Sequence, residues 1–355
     1  MKKKLLFCSY SLDIGGIENA LINLLNNMDY SKYDITLILE KKQGVFLDKL
    51  NSNVKVKEYR VSDNKNVFIR KIYNFIKRKI WILKNKNKYD FSCCYATYSL
   101  PCNMLAYYGS KNNSFYVHSN YKYIYGEKEL RNFFDRRRVD RFKHIIFVAN
   151  EAMNDLIEFY PNIKDKSVVI NNLIDYEKVI KLSKEKVELD KKTKYLFVFI
   201  GRLEEHSKKL SRMINVVKRL TDVSLLIVGD GPERDMYEGM ISDCSRITMV
   251  GAKKNPYPYM KLADYVVLSS DYEGFPVVYS EAIVLNKKII STIDVSDDFI
   301  SIPNRFGYIV SKDENKMYNE IKDILESDDL KYENVNFGKI NSYKIRKIED
   351  LIDGE

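Results

Sequence analysis

The sequence predicts two Rossmann-like, doubly wound α/β domains, and three observations carry that prediction. At 355 residues the chain is too long for one ordinary core and suits two domains of about 150 to 200 residues each. Short apolar runs alternate with segments of helical period along the chain, which implies parallel sheets joined by crossover helices, with ligands bound at the carboxyl ends of the strands. A hydrophobic content of 45%, with 27 Tyr and 17 Phe, is enough for packed cores and excludes wholesale disorder.

The first half opens on MKKKLLFCSYSLD, a basic head with an apolar run that Asp13 soon interrupts. It reads as a buried strand, Leu5 to Ser9, rather than a signal peptide. A tight loop, Leu12 to Gly16, leads into a helix whose apolar face is Ile17, Ala20, Leu21, Leu24, Leu25 and Met28. Gly15 and Gly16 bring bare backbone to a helix N-terminus, serving either a cap with positive φ or the approach of a ligand. Strands follow at Asp34 to Leu39, Val54 to Tyr59 and Phe91 to Ala96, with a basic helix at Val67 to Leu83. The next strand, Phe115 to Asn120, carries His118 at its carboxyl edge, either as a site residue or as an edge histidine bonded to backbone. Glu127 to Phe142, with Arg136, Arg137 and Arg138, is expected to be a partly exposed helix. His144 to Asn150 makes a strand and loop, and Met153 to Tyr160 a helix that Pro161 ends.

The second half begins after a Lys- and Glu-rich linker at 176–194. Tyr195 to Ile200 is a strand, and Gly201 to Lys209 a loop in which Arg202 and either Lys208 or Lys209 are two cations able to take a diphosphate. Ser224 to Val228 and the turn Gly229-Asp230-Gly231-Pro232 fail as a dinucleotide fingerprint, because Arg234 stands where a third glycine belongs. Ile247 to Gly251 precedes a loop, Lys253 to Tyr259, whose Tyr257 and Tyr259 either contact a base or pack. Tyr265 to Ser270 is a buried strand, followed by DYEGFPVVYSEA from Asp271 to Ala282. Pro276 suits the first helical position, so the following amides form an anion site at the strand's carboxyl end. Glu273 and Glu281 flank it, and carboxylates beside a phosphate repel it unless they hold something else, for which sugar or ribose hydroxyls are the obvious candidates. Asn286 sits where this helix must stop in a left-handed residue, and Ile289 to Thr292 is a further strand.

The segment E-G-F-P-x-x-x-x-E-A resembles the signature of the retaining glycosyltransferases of family 4, which have the GT-B fold of two Rossmann-like domains facing a cleft. GGIENALINLL, the Gly201-Arg202-Leu203 loop, the G-D-G-P turn, the strand Gly307 to Val310 and the helix Met317 to Leu325 resemble the same family. The resemblance implies an acceptor-side domain at 1–175, a nucleotide-sugar domain at 195–335 and a terminal segment, 336–355, that crosses back. It implies that Glu273 touches the transferred sugar, Glu281 holds the ribose, and Gly274, Phe275, Pro276, Val277 and Val278 frame the donor. Arg202 and Lys208 would neutralise the leaving diphosphate, His118 would contact the sugar at the reacting centre, and Gly15 and Gly16 would line the cleft near the diphosphate. Lys209 departs from the small residue usual there. The expected reaction moves a hexosyl unit from a nucleotide sugar, a UDP-sugar above all, to a hydroxyl of a glycan or lipid-linked saccharide in surface polysaccharide synthesis. No metal and no cofactor are expected, since no D-x-D pair is present. A UDP-sugar epimerase and a non-catalytic membrane-associated scaffold are the alternatives.

The net charge of +10 is concentrated between Arg60 and Lys88, where Asp63 is the only acid. The helix at 67–83 within it is amphipathic: its apolar face either packs on the sheet with the basic face solvated, or meets an anionic membrane surface. Nucleic acid is not an expected partner, because no recognised module accompanies the charge. Five Cys without a C-x-x-C pair, and three scattered His, speak against a disulfide framework or a zinc site. No stretch reaches the roughly eighteen apolar residues a membrane span needs. A cytoplasmic protein is expected, either free or peripheral on the inner face of the membrane.

Overall fold

The computed structural model describes residues 1–13, 15–188, 193–294, 300, 302–303, 305–327, 330 and 332–354. Ile14 of the glycine loop and residues 189–192 of the expected linker lie outside the described residues. The chain divides into two compact units, Met1–Leu173 with Asn341–Glu355, and Ile174–Ile340.

In the first unit the strands are β1 (Lys3–Ser9), β2 (Tyr33–Leu39), β3 (Lys55–Glu58), β4 (Phe91–Cys94), β5 (Asn113–Val117), β6 (His144–Phe147) and β7 (Ser167–Val169). Its helices are α1 (Gly16–Asn26), α2 (Val67–Asn85), α3 (Leu100–Gly109), α4 (Tyr121–Arg137) and α5 (Asn150–Phe159). The strands are all parallel, in the order β3-β2-β1-β4-β5-β6-β7. The apolar run after the basic head fills the centre of this sheet: Leu5, Leu6, Phe7 and Cys8 are buried, which is what a central strand covered on both faces requires. Helix α3, absent from the sequence reading, is weakly amphipathic because Pro101 and Gly109 bracket an apolar stretch that packs against β1, β4 and β5. Ser99 caps it, its Oγ accepting from the Cys102 amide at 3.1 Å.

The second unit contains α6 (Tyr176–Leu182), then β8 (Tyr195–Ile200), α7 (Glu205–Lys208), α8 (Leu210–Arg219), β9 (Val223–Val228) and α9 (Arg234–Ile241). It continues with β10 (Ile247–Gly251), α10 (Tyr257–Leu262), β11 (Tyr265–Leu268), α11 (Val277–Val284), β12 (Lys288–Ser291), β13 (Gly307–Ile309) and α12 (Glu314–Ser327). The strand order is β10-β9-β8-β11-β12-β13, again parallel throughout. Part of the stretch read as linker is helical, since Asp175 caps α6 by accepting from the Lys178 amide at 3.0 Å, and that helix belongs to the second unit. Asn286 takes the left-handed conformation expected of it, φ 54°.

The terminal helix α13 (Phe337–Asp353) begins in the second unit, where Phe337 stacks on Tyr176, and from Asn341 onward belongs to the first. There Lys3 pairs with Asp353 at 2.5 Å, Asn112 donates to the Leu351 carbonyl at 2.9 Å, and the buried Lys344 donates to the Asn172 carbonyl at 3.2 Å.

Two expectations about charged helices change. Helix α4 starts at Tyr121, six residues before Glu127, because Asn120 caps it and Gly126 interrupts it at φ 70° without ending it. Within it Arg137 is buried, donating to the carbonyls of Thr97, Tyr98 and Phe133 and lying 3.4 Å from the centroid of the Phe133 ring. The apolar face of α2, offered above as packing on the sheet, points away from it: none of the helix's residues is buried.

Candidate functional site

In a doubly wound sheet the binding crevice opens beyond the carboxyl ends of the strands, where the strand order reverses. In the second unit that reversal lies between β8 and β11, so the loops at 201–209 and 269–276 are neighbours there. Backbone and side chains lock them together. The Asp271 amide donates to the Ser207 carbonyl at 2.9 Å and Ser269 Oγ to the Lys209 carbonyl at 2.8 Å. The Arg212 guanidinium, from α8, donates to the Ser269 carbonyl at 2.7 Å and to the Asp271 carboxylate at 3.0 Å.

Glu273 is held on this frame by two donors, the Lys208 ammonium and Ser270 Oγ, the latter at 2.7 Å. Of the two lysines, Lys208 reaches Glu273, whereas Lys209 contributes its carbonyl and sits in the left-handed region at φ 48°. A residue with a Cβ in that region costs roughly 1–2 kcal/mol.

Glu281, in α11, accepts from the Tyr257 hydroxyl at 3.0 Å. Burial pushes its carboxyl up to about 7, and the Tyr257 hydrogen bond and the Lys178 charge pull it back only in part. The two acids therefore do not confront a phosphate as two bare charges, since one is ion-paired and the other is half-protonated near neutral pH. Tyr257 and Tyr259 lie on α10 rather than in a loop, because the Asn255 side chain and Pro256 start a helix there. Tyr257 is buried against Glu281, and Tyr259 is half-buried with Lys253 over its ring.

Pro276 stands one position earlier than expected, as the N-cap of α11 rather than its first residue, since its ψ of 114° is extended. No side chain caps this helix, which leaves the amides of Val277 and Val278 at the opening of α11; both residues are half-buried. Gly274 is half-buried as well, while Phe275 and Pro276 are buried.

Arg202, on the loop after β8, is exposed and makes no side-chain hydrogen bond or ion pair among the described residues. The G-D-G-P turn sets the position of its loop: a Cβ on Gly229 would lie 1.9 Å from the Gly201 carbonyl oxygen, and one on Gly231 2.2 Å from that of Leu203. Sequence reasoning did not find Ser270 or Arg212 as supports of this loop. Neither carries a motif, and both are recognisable only once β8 and β11 lie side by side.

In the first unit the strand order reverses between β1 and β4, and the candidates there follow β1 and β5. Gly15 is extended, φ −174°, so its conformation does not demand glycine; a Cβ there would meet the Glu18 carboxylate at 2.2 Å, and one on Gly16 would meet open space. Glu18 was not anticipated. It lies in the first turn of α1, its carboxyl raised chiefly by burial, and Tyr98 Oη donates to it at 3.3 Å.

His118, just past β5, is buried, with its ring stacked on Tyr116 at 4.7 Å and Nε2 2.8 Å from the Tyr95 carbonyl oxygen. Desolvation lowers its pKa to about 3, so the ring is neutral. A carbonyl can only accept, which assigns the proton to Nε2 and leaves Nδ1 as a bare acceptor; Nδ1 has no partner among the described residues. The backbone-bonded arrangement weighed for this histidine is present, and beside it an unsatisfied acceptor.

Residues 194–327 match the family model described as glycosyl transferases group 1, and residues 14–178 the one described as glycosyltransferase family 4. A 4-alpha-N-acetylgalactosaminyltransferase of Campylobacter jejuni, acting on a diphospho-undecaprenol-linked saccharide by its name, is 27% identical over 203 residues, 56% of this chain and 54% of that protein. An uncharacterised glycosyltransferase of Methanocaldococcus jannaschii is 29% identical over 164 residues, 43% of this chain and 40% of its own. The chain thus spans about half the length of the curated relatives it matches. Among solved structures, Anabaena HepE in complex with UDP and glucose superposes with a TM-score of 0.75 at 15% identity, over 98% of this chain and 99% of that one. That likeness shows the fold, GT-B.

Proposed function

Since the chain belongs to the glycosyltransferases of group 1 and family 4, with the GT-B fold, we propose that it transfers a hexosyl unit from a UDP-sugar to a hydroxyl of a glycan or lipid-linked saccharide, with retention at the anomeric carbon. The observation that carries the reading is the convergence, at the reversal point of the second sheet, of the Lys208–Glu273 pair with the uncapped start of α11. Amides and a cation supply positive potential; a carboxylate held by two donors is left to orient hydroxyls.

In the proposed reaction the bond between the anomeric carbon and the diphosphate oxygen breaks, and its electron pair stays on the diphosphate. Lys208, Arg202 and the amides of Val277 and Val278 stabilise the charge that develops there, an effect often worth about 3 kcal/mol per well-placed donor. The acceptor oxygen bonds to the anomeric carbon on the face the diphosphate leaves, and its proton passes to the departing phosphate. Glu273 orients the sugar and Glu281 the ribose, with Gly274, Phe275 and Pro276 shaping the loop between them. His118 is assigned a contact to the transferred sugar, supported by the unsatisfied Nδ1, and Gly15 and Gly16 an approach of backbone to the ligand, supported by the open space over Gly16. No metal takes part in this scheme; transfer that survives dialysis against EDTA agrees with it, and loss restored by a divalent ion would refute that element.

The test is incubation with a panel of UDP-sugars and lipid-linked or oligosaccharide acceptors. A new glycoside whose anomeric configuration matches the donor's is the expected product. A UDP-sugar isomer formed without acceptor would mark an epimerase instead, and inversion at the anomeric carbon would exclude retention.

A further inference from the structure

Helix α2 is amphipathic in the opposite sense to a helix that covers a sheet. Its half-buried residues are Arg70, Asn74, Lys77, Trp81, Ile82 and Asn85, most of them polar and recurring every three or four positions. They anchor the helix: the Ser62 amide donates to Asn74 Oδ1 at 2.8 Å, Lys77 donates to the Arg60 carbonyl at 2.6 Å, and Trp81 packs edge-on against Tyr59. The opposite arc holds Phe68, Ile69, Ile72, Phe75, Ile76, Ile80 and Leu83, between 44% and 85% exposed. An apolar face of this length on a surface marks an interaction site.

The charge around it identifies the partner. Between Val67 and Asn85 there are six Lys or Arg and no Asp or Glu, and the acid-free stretch runs from Asn64 to Tyr89. Lys71, Arg78, Lys79 and Lys84 are exposed, with Arg78 and Lys79 over the Phe75 ring. A second copy docking face to face would set these cations against the same cations. An anionic bilayer accepts both features, since the apolar arc enters the boundary between headgroups and acyl chains while the flanking cations stay among lipid phosphates. No helix among the described residues is long and apolar enough to cross the membrane, so the contact is one of lying on the surface.

We propose that α2 is a membrane-docking helix that seats the first unit on an anionic lipid bilayer through its outward apolar face. This inference does not depend on the donor chemistry, and its test needs no substrate.

Flotation of the purified chain with vesicles of phosphatidylcholine alone, and of an equal mixture of phosphatidylcholine and phosphatidylglycerol, reads it directly. Wild type should float with the mixed vesicles and remain behind with phosphatidylcholine alone. Ile72→Glu with Ile76→Glu should abolish flotation while leaving the thermal midpoint unchanged, because both side chains are exposed. Replacing Lys71, Arg78 and Lys79 by Gln should weaken partitioning by about fivefold per cation removed. Trp81 is the chain's single tryptophan and faces the body of the unit. Its emission should resist quenching by brominated lipid, whereas a tryptophan introduced by Ile76→Trp should be quenched. Equal flotation of wild type and the Ile72→Glu, Ile76→Glu variant, or no flotation with the mixed vesicles, would overturn the proposal. So would a dimer in solution that this double substitution dissolves, which would put a second copy on the face.

Discussion

At the scale of single residues, the site is a set of acids whose charge is managed by neighbours. Glu281 holds its proton to about pH 7 in the folded chain, against the ordinary carboxyl value of 4.5. Between those values the folded state binds the proton more tightly than the unfolded state, so this residue's contribution to stability is full below about pH 4.5 and is lost as pH rises through about 7. Urea melts at pH 5 and pH 8 should show that loss, and Glu281→Gln should remove it; an unchanged difference between the two pH values would contradict the assignment. His118 works in the other direction. Its folded pKa of about 3 lies below the ordinary 6.5, so the stability it lends is full above about 6.5 and is lost as pH falls toward 3. Replacing it with Asn should flatten the acid limb of stability. Removing Glu273 leaves a partly buried Lys208 without its partner, and Glu273→Ala should lower turnover by about 100-fold while the chain stays folded. Near-normal turnover would remove Glu273 from the mechanism.

At the scale of elements, the glycines divide into two kinds that one experiment separates. Gly229 is required by close approach, so Gly229→Ala should destabilise the second unit by about 2 kcal/mol or more and displace the Arg202 loop. Gly16 has open space where a Cβ would stand, so Gly16→Ala should keep or raise stability, and any fall in transfer rate would then report a ligand that needs that space. Equal destabilisation by the two substitutions would contradict this division. The sequence showed the G-D-G-P turn but not what it supports, because the contact is between loops of adjacent strands about thirty residues apart. Helix α3 was missed for a related reason: its residues are apolar on more than one side, so the period that reveals an amphipathic helix is weak. Conversely Tyr195–Ile200 was readable to the residue, being a short apolar run that Gly201 ends.

At the scale of the whole molecule, two parallel sheets of the same winding each bring a few loops to one reversal point, and that much followed from the alternation of strands and helices along the chain. The conjunction of Glu273 with Lys208 was not readable, since 65 positions separate them and only the adjacency of β8 and β11 joins them. Nor was the outward face of α2, for periodicity shows that a helix has two faces and does not show which one meets the protein. The reversal point of the second sheet also locates the central claim, that the loops after β8 and β11 hold a nucleoside diphosphate sugar. Isothermal titration of UDP into wild type, Arg202→Ala and Lys208→Ala tests it most directly. The account predicts saturable binding by wild type, weakened at least about tenfold by each substitution, as expected when a cation on a diphosphate is lost. Absence of UDP binding to the folded wild type, or equal affinity in all three proteins, would contradict it.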